Sequence, residues 1–354
     1  MTTRPTTGDF ALALESVGHS RATLDDDTFA RLVLTANNGT AASDVGRLVI
    51  DHGAPEALRL LLDADDDELD AHNLRPIADT QRLGMRDVDT VTRMIVDALR
   101  QREAGTLELL TPEHVHWPQK MGDLRSAQPL LLWARGDTEA LTNWRTTAVV
   151  GARAATGYGE HVAMEMAADL THRGHHIVNG GAYGIEGMAI RACLAAQGTP
   201  IAVMAGGLDR LYPSGHQALL ERVAEHGVLI SEQMPSMPPS RWGFQQSNRL
   251  KVALAHSTIV VEAGARSGAL QCASQAQLMG RFVGAVPGPI TSAASAGCHQ
   301  LIKDGTAQVV TAVNDIPSVA SDPSNGPMRR RDFTRATTEA HGPLDAPQNA
   351  TRSI

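Results

Sequence analysis

Thr146-Thr147-Ala148-Val149-Val150-Gly151-Ala152-Arg153-Ala154-Ala155-Thr156-Gly157-Tyr158-Gly159 decides the fold, read with Ile177-Val178-Asn179-Gly180-Gly181-Ala182-Tyr183-Gly184 one helix further on. In each stretch an apolar run ends in glycines, and residues at helical spacing follow. The pattern predicts strand, glycine loop, helix, strand, glycine loop, helix. The first N–H groups of a helix lack intrahelical partners, and the helix dipole adds partial positive charge beside them. Two such helix starts at neighbouring strand ends predict a mouth suited to phosphate-bearing ligands.

Working outward, residues 145–310 keep the alternation. Apolar runs fall at 147–150, 176–179, 201–204, 228–231, 258–261 and 282–286, with helical spacing at 159–173, 184–197, 214–226, 248–256 and 267–280. Near-continuous Val/Ile runs predict strands buried on both faces, as in parallel sheets. Short βα units with right-handed crossovers predict an α/β fold built on a doubly wound, mostly parallel sheet. Ligands of such sheets sit beyond the carboxyl ends of the strands, where this chain concentrates glycines and arginines.

Residues 1–105 predict a small α-helical domain, with amphipathic spacing at 9–17, 25–36, 41–52, 55–62 and 87–101. Acidic or small polar residues mark the starts, and Gly39, Gly53 and Gly105 mark stops. Residues 63–70 hold six acids in eight positions without the glycine and terminal glutamate of a calcium loop, so they predict a solvated linker or helix start. Residues 106–145 form a bridge whose 129–137 stretch predicts a short strand closed by a Gly-Asp turn. His114 and His116 have no third ligand near them in sequence, which predicts a structural role. The rest of the chain, 313–354, is rich in Pro, Ser and Thr and predicts a disordered tail that carries Arg329-Arg330-Arg331.

The bulk chemistry narrows the function classes. The chain has 354 residues and a net charge of −8. Residues 1–144 carry 14 Lys+Arg against 24 Asp+Glu (14 − 24 = −10), and residues 145–310 carry 12 against 10 (+2). A protein coated for non-specific nucleic-acid binding is not indicated, but a local basic groove in the second half is allowed. Cys193, Cys272 and Cys298 are widely spaced and odd in number, which argues against a disulfide framework. With no apolar h-region near the N-terminus and no membrane-length apolar run, a cytoplasmic location is expected, with no membrane partner.

At the mouth, Gly151 lets the chain turn as it leaves the first strand, and Arg153 on the rim can pair a phosphate bidentately. Tyr158, Gly159, Gly181 and Gly184 belong to the same two loops. The dinucleotide fingerprint GxGxxG is absent, and Asn179-Gly180-Gly181 stands where an acidic strand end would hold a ribose, which argues against a nicotinamide cofactor. The stretch 206–213 reads as a turn plus cap or as a wall of the site. Arg241-Trp242-Gly243-Phe244-Gln245-Gln246-Ser247-Asn248-Arg249 sets aromatics beside arginines in a chain with only 3% Phe, Trp and Tyr. That combination makes a stacking platform for unpaired bases, or else two aromatics plugging the sheet edge. Glu262 ends a strand before Arg266, Ser267 and Gly268, where another helix start predicts an anion cradle. Ser267 lacks the glycine two residues earlier that a nucleophile elbow needs.

These residues together make residues 106–312 resemble the bacterial DNA-processing protein A family, also called DprA or Smf. The resemblance runs in order through Trp117-Pro118, Leu132-Trp133-Ala134-Arg135-Gly136-Asp137, Gly151-Ala152-Arg153 with Tyr158-Gly159, and Asn179 to Glu186. It continues through Gly207-Leu208-Asp209 with Tyr212-Pro213, Ser231-Glu232, Phe244 with Asn248-Arg249, Val261-Glu262-Ala263, Arg266-Ser267-Gly268, Val286-Pro287-Gly288 and Gly297-Cys298-His299. It implies an extended Rossmann-like fold that binds single-stranded DNA, often as a homodimer, protects incoming DNA in natural transformation, and loads a RecA-type recombinase. It implies no catalytic residue, cofactor or metal. Position by position, Arg153 matches a phosphate contact, Arg241 a basic residue ahead of the Phe, and Phe244, Asn248 and Arg249 the groove lining. The chain departs from the family pattern at Asn179, Gly181, Glu186, Ser214, Gln245 and Ser247, and Tyr183 is a further position where the ligand contact can differ. The C-terminal winged helix of many members is not expected. The alternatives are a nucleotide phosphoribohydrolase, with Glu262 as its acid, and a nucleotide-sensing module on the same sheet.

Overall fold

The computed structural model describes residues 5–17, 24–38 and 43–317. Among these, nine strands form one sheet: β1 (Glu108–Leu110), β2 (Leu132–Gly136), β3 (Thr146–Val150), β4 (His176–Asn179), β5 (Pro200–Val203), β6 (Val228–Ser231), β7 (Ser257–Val260), β8 (Phe282–Ala285) and β9 (Gln308–Val309). Their spatial order is β1-β2-β6-β5-β4-β3-β7-β8-β9. β1 and β2 are antiparallel additions at one edge, and every pairing from β6 to β9 is parallel. The fold is the extended Rossmann-like α/β class expected from the sequence. β5-β4-β3-β7-β8 runs outward in both directions from β3, so the topological switch point lies between β3 and β7.

The helices after each parallel strand cover both faces. α8 (Gly157–His172) and α9 (Ile185–Ala195) share a buried cluster with Val149, Ile177 and Ile259. α11 (Arg241–Leu254) and α12 (Gly268–Leu278) share another with Ala148, Val150, Val178 and Val260. Successive side chains of β3 therefore enter opposite cores, and all five of its residues are buried. α10 (Gln217–His226) and α13 (Ala296–Lys303) complete the set.

The front of the chain is helical: α1 (Thr7–Ser16), α2 (Asp26–Asn38), α3 (Ser43–His52), α4 (Ala54–Leu62), α5 (Asp66–Ala71), α6 (Arg75–Leu83) and α7 (Val88–Glu103). Its core of Phe10, Phe29, Leu58 and Ile95 continues into Leu131, Trp133 and Ile190 beside the sheet. The acidic run at 63–70 is the start of α5, where Asp65 accepts the Glu68 N–H at 2.8 Å. α6 leaves no sequence signal because it is short and buries little besides Ala78. Gly53 caps the N-terminus of α4 at φ +82°, so it starts one helix as it ends another.

Two boundaries differ from the sequence-based expectation. α11 begins at Arg241, not 248, because Ser240 caps it by accepting the Gly243 N–H at 2.9 Å. Packed structure runs past residue 312: a 3-10 turn spans Val313–Asp315, and Val313 and Ile316 are buried. Gly39, the start expected at 41, and the Arg329-Arg330-Arg331 triplet lie outside the described residues. No helix among the described residues is long and apolar enough to cross a membrane.

Candidate nucleic-acid interface

At the switch point a cavity of about 890 Å³ opens beyond the strand ends. Arg153 from the β3 loop, Arg241 and Phe244 from the first turn of α11, and Arg266, Ser267 and Gly268 from the β7 loop line it, with Gly151 and Asn248. Arg153 stacks its guanidinium on the Phe244 ring at 4.7 Å, and the Tyr212 ring meets that ring edge-on at 5.7 Å. Three arginines and two aromatic rings therefore share one mouth.

The glycine loops bring the backbones close. A Cβ on Gly151 would stand 2.6 Å from Ile185 Cγ1 and 2.8 Å from the Glu262 carbonyl oxygen. Gly181 (φ +64°) and Gly184 (φ +71°) hold left-handed conformations that other residues strain to adopt. Gly159 would clash with the Glu262 carboxylate if it carried a side chain. These three shape the loops without lining the cavity. Tyr158 is also off the cavity, donating its hydroxyl proton to the Pro287 carbonyl at 2.7 Å.

Several amides of these loops are already engaged within the protein. Glu186 Oε2 accepts the Gly180 and Ala182 N–H groups at 2.9 and 3.2 Å, and Asn179 Oδ1 accepts that of Gly181 at 2.9 Å. Glu262 accepts the Thr156 N–H at 2.9 Å and its hydroxyl proton at 2.6 Å. Glu186 thus bridges two amides of the loop after β4, and Glu262 takes one amide of the loop after β3. The Ser267 hydroxyl accepts the Ala269 N–H, capping α12. Full positive charge at the mouth comes from the arginine side chains.

Arg249 lies elsewhere. Its guanidinium is buried against Glu232, at 2.8 and 2.5 Å from the two carboxylate oxygens, and also donates to the carbonyls of Ala127 and Gln246. It ties α11 to the interior and does not line the cavity. Lys251, absent from the sequence-based set, takes that place, buried on the floor at 3.3 Å from Glu186. Burial opposes its charge, but Glu186 outweighs burial and holds the ammonium above its usual range. Residues 244, 248 and 251 fall on one face at three- and four-residue spacing, and 249 is turned about 100° away. A helix predicted from 241 would have exposed that stripe.

A third group does reach the bridge histidines. Glu108 lies 3.2 Å from His114 Nε2, and Thr138 Oγ1 joins Glu108 to His116 Nδ1. Sequence proximity missed Glu108 because β1 carries it in from outside the turn. The protons are already allotted: the His116 backbone N–H donates to His114 Nδ1, leaving His114 Nε2 to donate to Glu108. The cluster is a closed hydrogen-bond network as it stands.

A nine-stranded, switch-point cavity with a cationic aromatic rim defines a Rossmann-like α/β protein of the ligand-binding kind. The sequence profile described as DNA recombination-mediator protein A matches residues 108–321. The chain belongs to that family. It is 49% identical over 229 residues to a putative DNA processing protein DprA of Mycobacterium tuberculosis, covering 62% of this chain and 58% of that protein. The chain thus spans somewhat over half the length of that relative. It is 34% identical over 254 residues to protein Smf of Escherichia coli, covering 72% of this chain and 67% of the other. The structure of DNA processing protein A from Streptococcus pneumoniae superposes with a TM-score of 0.66 at 26% identity, covering 84% of this chain and 99% of that one. That of Helicobacter pylori, described for its unique single-stranded DNA binding mode, superposes at 0.54 and 24% identity, over 66% and 98%, and shares the fold.

Proposed function

We propose that this protein binds single-stranded DNA across the switch-point mouth and serves DNA processing in recombination or transformation, without chemistry of its own. One observation carries this reading: Arg153, Arg241 and Arg266 ring a cavity that also presents Phe244 and Tyr212. Guanidinium groups grip phosphates and stack with bases, and aromatic faces accept any unpaired base. Glu186 takes two of the backbone N–H groups at the mouth, which leaves the arginine and aromatic side chains as the main grips on a strand. The DNA-binding description of the Helicobacter pylori protein points the same way.

The phosphoribohydrolase alternative needs a carboxylate that can reach substrate. Glu262 is 1% exposed and spends both oxygens on Thr156, which argues against that role. On the same reading the protein is cytoplasmic, works as a homodimer and hands its strand to a RecA-type recombinase. Sedimentation velocity and a recombinase pull-down with and without oligonucleotide test those partners.

The central test is fluorescence polarisation with labelled oligo-dT over a salt series, beside Arg153→Ala. Expected are salt-sensitive binding, a clear loss in the variant, and a log–log salt slope smaller by about one. Absence of binding together with release of free base from nucleoside monophosphates would overturn the proposal.

A further inference from the structure

Beside the cavity, α11 and α12 leave a second recess of about 440 Å³. Gln245 and Gln246 from α11 face Leu270, Gln271, Ser274 and Gln275 from α12. Gln245 and Gln271 line both this trough and the main cavity, so the two are continuous. The mouth is ringed by arginines, yet no ionisable side chain lines the trough. Four primary amides replace charge where the site leaves the cationic rim.

That division matches the two chemistries of a nucleic-acid strand. Phosphates call for cations, whereas a base edge presents donors and acceptors side by side, as an amide does. The amides are also weakly engaged. Gln275 Oε1 is buried with no hydrogen-bond partner, so it meets a ligand once its side chain turns outward into the trough. Gln271 Oε1 receives only a long 3.4 Å contact from Asn248 Nδ2. Ser274 turns its hydroxyl to the Leu270 carbonyl, so the amides are the groups left to read a ligand. A buried carbonyl oxygen without a donor is unfavourable, and a donor arriving with a ligand relieves it.

We propose that the α11–α12 trough receives the Watson–Crick edge of an unpaired base, whose ring N–H or amino group donates to Gln275 Oε1 while the backbone of that strand rests on the arginine rim. This rests on the single-stranded DNA reading above and adds a source of selectivity to it. In a duplex those edges are already paired, so the trough favours single strands by contact with bases as well as by strand shape.

The experiment separates base from backbone. Full-length protein, Gln275→Leu and Gln271→Ala are titrated at one salt concentration with oligo-dT, with the same length of N3-methylthymine oligonucleotide, and with an abasic strand. Thymine N3–H is the only donor on that base, and methylation removes it. Expected is three- to tenfold weaker binding of oligo-dT by Gln275→Leu, a smaller loss for Gln271→Ala, and no loss on the abasic strand. The wild type should bind the N3-methylated strand about as weakly as Gln275→Leu does. Gln271 is exposed on the surface of α12, so its variant gives an answer even if Gln275→Leu fails to fold. Equal losses on all three strands, or none on oligo-dT, overturn the trough and leave DNA binding standing. Failure of the wild type to bind any strand overturns the DNA reading itself.

Discussion

At 2.8 and 2.5 Å from the two oxygens of Glu232, the Arg249 guanidinium is a bidentate pair sealed inside the protein. Removing one partner of such a pair strands the other charge, at a cost of about 3–5 kcal/mol. Arg249→Ala is therefore expected to lower the melting temperature sharply and to reduce DNA binding only as far as folded protein is lost. Arg153→Ala should do the reverse, because Arg153 is exposed and its partner is the Phe244 ring. Thermal melts beside polarisation titrations separate the two; a stable Arg249→Ala with selectively weakened DNA binding would place that arginine in the interface after all. The sequence could not distinguish these arginines, since both follow a glycine or aromatic motif. Only the distant Glu232 decides where Arg249 points.

Gly243 sets the position of α11. Its N–H donates to Ser240, and a Cβ there would collide with the Ala205 carbonyl at the end of β5. Gly243→Ala should push the first turn outward, carrying Arg241 and Phe244 with it. The expected cost is about 1–3 kcal/mol in urea denaturation, with weaker oligo-dT binding by the remaining folded protein. Unchanged stability and affinity would show that the helix start has room to spare. Elements with strong apolar runs, β3 to β8, were legible because burial on both faces favours consecutive apolar residues at their centres. The first two turns of α11 were not, since they face a polar cavity and carry no apolar stripe. α6 was lost for the same kind of reason: a short helix buries too few side chains to mark its period, whereas α5 was marked only by its acidic start.

The whole molecule carries a pH dependence away from the switch-point cavity. Burial, then the nearby charges of Lys120 and Arg281, push His256 down from its usual value to about 4. Burial likewise lowers His175 and His176. The unfolded chain takes up a proton on His256 near pH 6.5 and the folded one only near 4, so stability falls as pH drops through that window and levels off below it. The contribution is on the order of 1–3 kcal/mol. His256→Gln should flatten the decline in urea stability between pH 7 and 4.5; an unaltered slope would mean His256 protonates freely when folded. At this scale the doubly wound layout was legible from alternation alone. The continuity of the helical front with the sheet was not, because Trp133 and Ile190 join that core from far along the chain. Small nucleotides, the building blocks of the polymer, meet a mouth where Glu186 already holds two of the amides they would use. On the proposed reading, a long strand holding on at several points of the rim at once should outcompete the pool of its own monomers.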